Sequence, residues 1–323
     1  MLRYRRTNMK KKGIILLNKD FSADWLPILK AGGFNTVGLH SLYQYGGLKA
    51  YLEWWANAET QSLVAEFEKN GFVIEHQLHA VDWLLSRDLF AEHPDWFRVN
   101  DKGARVNDWN FCVSNQDALS HVEESAYVLA ALLKQKSPRY YIWSDDCLNS
   151  ICYCEKCKKY SGADQNMLIM HSILRGLKKY DPQAKLSFLA YQDSEEVPTI
   201  LPQEDMFLEY APIGRNHNAP MDGDDQANVR ARSILNGLLK IFPAESAEIL
   251  EYFLDVSLFC QWKRENAKAL DLNEERVRRD LAYYAGLGVK GVTTFSSFID
   301  KEWREEYGVE DIITYGRLLQ ETL

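Results

Sequence analysis

The sequence predicts an α/β fold, a (β/α)8 barrel in a single domain. Three observations carry that expectation. Eight strand-like segments alternate with helix-like ones from residue 13 to the end, no low-complexity linker or repeat interrupts them, and 323 residues with 46% hydrophobic content suffice for one large core. Strict alternation demands a parallel sheet covered by helices, and eight units close into a barrel more readily than they stay open. A doubly wound sheet is the competing arrangement. Against it, Gly32-Gly33 precedes the second strand and Gly46-Gly47 lies in an irregular stretch, so no strand runs into a glycine-rich phosphate loop.

The elements follow in order. Residues 13–17 form a short apolar strand, and Ser22 is placed to cap a helix that continues through Lys30 and stops at Gly32-Gly33. The second strand is 34–40. A helix rich in Glu and Ala ends near Asn70-Gly71, and 72–79 is the third strand. A long excursion over 82–115 precedes helical periodicity at 116–135, which Ser137-Pro138 breaks. The fourth strand, 139–144, runs into Asp145-Asp146. After a helix at 166–180 come strands at 185–191, 206–211 and 247–254, separated by helical or irregular stretches that include 225–241. The eighth strand is 289–296, and a helix at 301–319 closes the chain.

Charge and composition narrow the function classes. With 38 basic against 46 acidic side chains the net charge is -8, and the basic residues are scattered, so a nucleic-acid partner is not expected. No apolar run approaches the roughly 20 residues of a membrane span. Arg3, Arg5, Arg6, Lys10, Lys11 and Lys12 make a basic tail over 1–12, with the barrel domain expected over 13–323. Only Ile14 to Leu17 follow before Asn18, too few for a secretory h-region of about 7–15 residues, so a cytoplasmic protein is expected. Aromatic residues reach 12%, with nine Trp and seventeen Tyr; flat rings with polar tips suit sugar faces, although most such rings are ordinary core.

In a barrel the chemistry sits at the C-terminal strand ends. Read in order, those ends carry His40, then His76 and His79, Asp145-Asp146, Tyr191 with Asp193, Glu209-Tyr210, Glu251-Tyr252 with Asp255, and Ser296-Ser297. There is no nucleophile elbow, phosphate-binding lysine loop or His-Glu-x-x-His pair. Several carboxylates with aromatics and His beside them match what glycoside hydrolysis requires, one carboxyl to protonate the leaving oxygen and a second group to stabilise the oxocarbenium-like centre. Two adjacent acids also resist joint ionisation, which keeps one protonated near neutrality. The plain alternative for Asp145-Asp146 is a solvated turn or a helix cap. Trp143 just before and a cysteine group just after weigh toward function. Glu209 and Glu251 stand where a nucleophile or base is expected, unless they face the helices and pair with Arg or Lys. Tyr191, Tyr210 and Tyr252 suit hydrogen bonding to an acetamido group, or are ordinary sheet residues. Of the two histidines, His79 is favoured for the pocket because it is nearer the strand end.

Cys152, Cys154 and Cys157 form a C-x-C-x-x-C group, with Cys147 five residues earlier and Cys112 and Cys260 distant. Thiolates this close in sequence suit tetrahedral Zn²⁺ better than mutual disulfides, and a fourth ligand must come from elsewhere; the alternative is reduced surface cysteines without a metal.

The run Asn110-Phe111-Cys112, a strand ending in two polar residues, and Ile151-Cys152-Tyr153-Cys154-Glu155-Lys156-Cys157 together resemble the zinc-bearing segment of family 42 β-galactosidases. That resemblance implies Cys112, Cys152, Cys154 and Cys157 as ligands of a structural zinc. Asp145-Asp146 stands where that family has Asn-Glu. The stretch 72–191 is more broadly similar to the DUF4838 proteins, related to the family 163 endo-β-N-acetylglucosaminidases. The likeness rests on Glu75-His76-Gln77-Leu78-His79, His93-Pro94-Asp95-Trp96-Phe97 with Gly103 and Arg105, Cys112-Val113-Ser114-Asn115 and the cysteine group. Adjacent aspartates after strand four also resemble family 84 N-acetylglucosaminidases, which implies that Asp145 orients a substrate acetamido group and Asp146 is the general acid. The expectation is therefore a glycoside hydrolase acting on β-linked N-acetylhexosamine by substrate assistance, with His79, Trp143, Tyr191, Tyr210 and Tyr252 lining the site. The alternatives are a β-galactosidase-like retaining enzyme with a Glu nucleophile, Glu251, and a non-catalytic carbohydrate-binding barrel.

Overall fold

A computed structural model describes residues 11–41 and 45–322. Its eight strands form a closed parallel barrel in the order β1 to β8. The strands are β1 Lys11–Leu17, β2 Thr36–His40, β3 Val73–His79, β4 Arg139–Trp143, β5 Lys185–Ala190, β6 Met206–Tyr210, β7 Glu248–Glu251 and β8 Gly291–Phe295. The helices are α1 Trp25–Gly32, α2 Gly47–Trp55, α3 Ala58–Lys69, α4 Val81–Leu84, α5 Gln116–Leu133, α6 Gly162–Tyr180, α7 Gln226–Leu238, α8 Val256–Phe259, α9 Glu274–Gly286, α10 Lys301–Tyr307 and α11 Glu310–Glu321.

The chain gathers into two compact units. One contains the chain up to His40, residues 58–74 and everything from Glu209; the other contains 41–57 and 75–208. In the first, β1 pairs with β2 and β8, and β8 with β7. In the second, β4 pairs with β3 and β5, and α5 packs along α6. Gly176 is what lets those two helices approach, since a Cβ there would lie 2.0 Å from the Glu123 carbonyl oxygen.

Strand periodicity sorts the polar residues between two faces. The Tyr141 hydroxyl donates to Glu75 on β3 and its ring meets Phe207 on β6, so Tyr141 points into the barrel. Its neighbour Tyr140 donates to Asp181 beyond α6 and faces the helices.

Several boundaries differ from the sequence reading, for local reasons. β1 starts at Lys11, two residues early, because Lys11 is buried and its ammonium pairs with Glu248 at 2.6 Å. Lys12 follows in the same strand, and Arg3, Arg5, Arg6 and Lys10 lie outside the described residues. Helix α1 begins after Asp24 and not after Ser22, and Gly33 ends it in the left-handed region at φ +71°. The expected helix at 301–319 is two helices, α10 and α11, separated at Gly308 with φ +83°. The strand expected at 247–254 shortens to β7, because Asp255 turns the chain by capping α8 through the Ser257 amide.

Candidate active site

The β4 end is held by a web of polar contacts. The Asp145 amide donates to the Asn110 side-chain oxygen at 3.0 Å, and Asn110 in turn donates to the Ser150 hydroxyl. Asp193, just beyond β5, accepts from the amides of Asn149 and Ser150 at 2.9 and 2.7 Å. Arg98 donates to the carbonyls of Asn149 and Ile151. A Cβ at Gly162 would lie 2.0 Å from the Asp193 carbonyl oxygen, so only glycine lets α6 begin this close to the loop. Trp109, Asn149 and Gln192 all adopt positive φ, between 45° and 59°. Strain of roughly 1–3 kcal/mol each, concentrated beside one strand end, marks a segment shaped for more than packing.

Within that frame the two aspartates differ. The Asp145 side chain is fully enclosed, and its carboxylate oxygens make no side-chain hydrogen bond among the described residues. Burial pushes its pKa up to about 7, helped by the nearby Asp82 carboxylate; Arg87, 4.0 Å away, and the Asp82 backbone amide pull the other way. Asp146 is half-buried and accepts from Gln192 at 3.1 Å, while the same amide group donates to the Tyr191 hydroxyl at 2.9 Å. His79 contacts the Ser144 carbonyl through Nδ1 and lies edge-on to Trp143, with ring centroids 5.0 Å apart. In the register of β3 with β4, His79 is opposite Trp143 and Gln77 opposite the inward Tyr141. His79 is thus on the barrel side of β3. His76 faces α2 instead, between Tyr51 and Trp55, and burial lowers its pKa to about 3.

Sequence reading passed over four members of this cluster. Arg87 is held over the Tyr45 ring at 4.6 Å and the Trp109 ring at 5.7 Å, Asp82 accepts from the Gly46 amide, and Asn110 and Gln192 contact the aspartates directly. The available signal was the length of the 82–115 excursion, which supplies Asp82, Arg87, Trp109 and Asn110.

Glu209, Glu251, Tyr210 and Tyr252 belong to the other unit. Glu209 is fully buried and in register with Glu248, the first residue of β7, at the level of the Lys11–Glu248 pair and therefore deep in the strand layer. Glu251 is fully buried too. It pairs with Arg215 at 3.3 Å and accepts from the Tyr284 hydroxyl on α9, while Arg215 also meets Asp280 at 2.8 Å. Its carboxylate thus faces the helices in a closed network, as the alternative reading of that strand end allowed. The Tyr210 hydroxyl donates to the Ala231 carbonyl of α7 at 3.0 Å and likewise points to the helix layer, which corrects its assignment to the pocket. Tyr252 stacks on Phe295 with centroids 6.1 Å apart.

The cysteines segregate as well. The sulfurs of Cys112, Cys152, Cys154 and Cys157 lie within 4.8 Å of one another, with Cys112 at 3.7 Å from both Cys154 and Cys157. The Val99 amide donates to the Cys152 sulfur at 3.3 Å. Hydrogen bonds from Cys152 and Cys157 drive the Cys112 thiol pKa down. Cys147 donates to the Leu148 carbonyl and Cys260 to the Ser257 carbonyl, both outside this group.

Among the described residues no helix is long and apolar enough to cross a membrane. Solved glycosidases share the fold. A β-galactosidase from Rahnella sp. R3 superposes with a TM-score of 0.60 at 12% identity, over 96% of this chain and 55% of its own. A catalytic mutant of a GH42 β-galactosidase from G. stearothermophilus gives 0.56 at 14% identity, over 99% and 58%. A GH5-4 broad-specificity endoglucanase from Clostridium cellulovorans gives 0.50 at 10% identity, over 93% and 87%. The chain thus spans a little over half the length of the two β-galactosidases, and at such identities the likeness concerns the fold. A search of curated proteins finds no match. The family model "Domain of unknown function (DUF4838)" matches residues 39–305, most of the chain, and the chain therefore belongs to the DUF4838 family.

Proposed function

We propose that this chain is a glycoside hydrolase acting on glycans with β-linked N-acetylhexosamine, through the aspartate pair after β4. One observation carries the reading: Asp145 is buried with no side-chain hydrogen bond to its carboxylate oxygens among the described residues, directly beside a half-exposed Asp146. A buried acceptor left open calls for a ligand or an ordered water. An acetamido N–H is a donor of the right kind. In this reading Asp145 accepts that N–H and turns the acetamido oxygen toward the anomeric carbon. Asp146, reachable from solvent, gives its proton to the leaving oxygen as the glycosidic bond breaks, and then takes one from the water that opens the cyclic intermediate. His79, Trp143 and Tyr191 line the same strand ends.

Aryl β-glycosides with and without a 2-acetamido group test the proposal. The acetamido substrates should be hydrolysed, and Asp146→Asn should lower kcat by about 10²–10⁴ with folding intact. Wild-type turnover by Asp146→Asn, or cleavage restricted to sugars lacking the acetamido, overturns it. Tight glycan binding with no hydrolysis over days would favour the non-catalytic barrel.

The cysteine quartet is proposed to hold a structural Zn²⁺. A tetrahedron with metal–sulfur distances near 2.3 Å has edges of about 3.8 Å, whereas a disulfide needs about 2 Å. The 3.7 Å separations and the Val99 amide on Cys152 fit the metal. Four thiolates leave no open position for water, so the ion would act by tying Cys112, before α5, to the loop that follows Asp146. Protein purified without added metal should carry one zinc, and Cys112→Ser should lose metal and stability together. Metal retained by Cys112→Ser but lost by Cys147→Ser would exclude this ligand set.

A further inference from the structure

The excursion between β7 and α9 encloses a cleft of about 570 Å³, within the size range of ligand sites. Its lining carries two acids, Glu265 and Asp271, and two cations, Lys268 and Arg276, beside the amides of Asn218, Gln261 and Asn266. Phe259 also lines it and is 52% exposed, and Trp262, next to Gln261, is 64% exposed. Aromatic rings this open to water are left without the burial that normally accounts for them. Gln261 and Trp262 are consecutive non-glycine residues with φ of +59° and +56°, a conformation that costs roughly 1–3 kcal/mol per residue.

The loop holds that shape through specific anchors. The Trp262 amide donates to the Ser257 carbonyl at 2.8 Å, Arg264 grips Asp300 with two 2.8 Å hydrogen bonds, and the Trp303 indole donates to the Lys268 carbonyl at 2.9 Å. Asp255 fixes the start of α8 through Ser257. Arg276, one of the lining residues, has an enclosed Nε with no hydrogen-bond partner among the described residues.

We infer that this cleft is a carbohydrate-binding site, with Phe259 as the stacking ring, the exposed Trp262 next to the lining Gln261 extending it, and Arg276 among the hydroxyl-binding groups. Amides, carboxylates and a guanidinium around exposed rings match a ligand with an apolar face and a rim of vicinal hydroxyls. An apolar ligand would leave those groups unpaired, and with Lys268 and Arg276 set against Glu265 and Asp271 the cleft favours a neutral polar ligand over one of either charge. The ligand class follows from the cleft itself, so the inference stands or falls separately from the reading of the β4 aspartates.

Isothermal titration of the full chain with chitopentaose, cellopentaose and a galacto-oligosaccharide tests it, in the Asp146→Asn background so that no turnover intervenes. At least one probe should bind saturably. Phe259→Ala should weaken that binding by roughly tenfold, with Trp262→Ala and Arg276→Gln weakening it several-fold, while near-ultraviolet circular dichroism stays unchanged. Saturable binding that depends on Phe259, together with a wild-type chain that hydrolyses none of the aryl glycosides, would support the cleft and remove the enzymatic reading. Binding by none of the probes, or affinity in Trp262→Ala and Phe259→Ala equal to that of the parent, overturns the inference.

Discussion

Asp145 after β4 and Glu251 at the end of β7 are both buried carboxylates at C-terminal strand ends, yet their surroundings are opposite. Glu251 is saturated, by the Arg215 guanidinium, the Tyr284 hydroxyl and the Tyr252 amide. Asp145 has a guanidinium at 4.0 Å and the Asp82 backbone amide beside it, and no side-chain hydrogen bond to its oxygens among the described residues. Burial by itself therefore does not identify a working acid. A carboxylate whose acceptor positions are filled contributes to the architecture, whereas one kept out of water and left open is poised for a proton or a substrate donor.

The largest effect that would break this contrast lies on the Glu251 side. Arg215→Met leaves Glu251 and Asp280 without their cation, and loss of one partner from a buried pair costs about 3–5 kcal/mol. Urea denaturation should show that loss; a change below about 1 kcal/mol would mean the network is not what holds Glu251.

The Asp145 side should behave in the opposite sense. Its folded pKa of about 7 lies above the ordinary value of 3.8, so the folded state binds more protons than the unfolded one between those values. Stability associated with this group is fully present below pH 3.8 and is lost as pH rises to about 7. Asp145→Asn should match the wild type near pH 4 and exceed it at pH 8 by on the order of 2–4 kcal/mol. Equal stability of the two proteins across the whole range would show that Asp145 is solvated or paired after all.

A smaller effect separates two tyrosines that look alike in sequence. Tyr210→Phe removes one buried hydrogen bond to the Ala231 carbonyl and should cost about 1 kcal/mol with no change in glycan affinity. Tyr191→Phe removes the hydroxyl that shares Gln192 with Asp146, and should alter KM with little effect on stability. Equal changes in KM for both variants would place Tyr210 in the pocket.

Much of this was legible in one dimension. The alternation of period-two and period-3.6 segments places all eight strands, with errors confined to their ends. Cys112 illustrates a harder case: a likeness to a known segment selected it as the fourth ligand, and the fold brings its sulfur to 3.7 Å from two of the others across more than forty residues of chain. Arg87 and Trp109 carried no motif, since each matters only through where the long 82–115 loop puts it, and Asn110 was read only as part of the cysteine segment.

What the sequence determined by itself is the alternation, hence the barrel, and the location of an acidic pair at a strand end, because hydrophobic period and turn chemistry are local properties of the chain. Which face each acid and tyrosine takes was left to the tertiary structure. A strand turns its side chains over at every residue, so a shift of one position exchanges the pocket for the helix layer. Only the packed neighbours, Arg215 and Tyr284 around Glu251 and the Ala231 carbonyl at Tyr210, decide that choice.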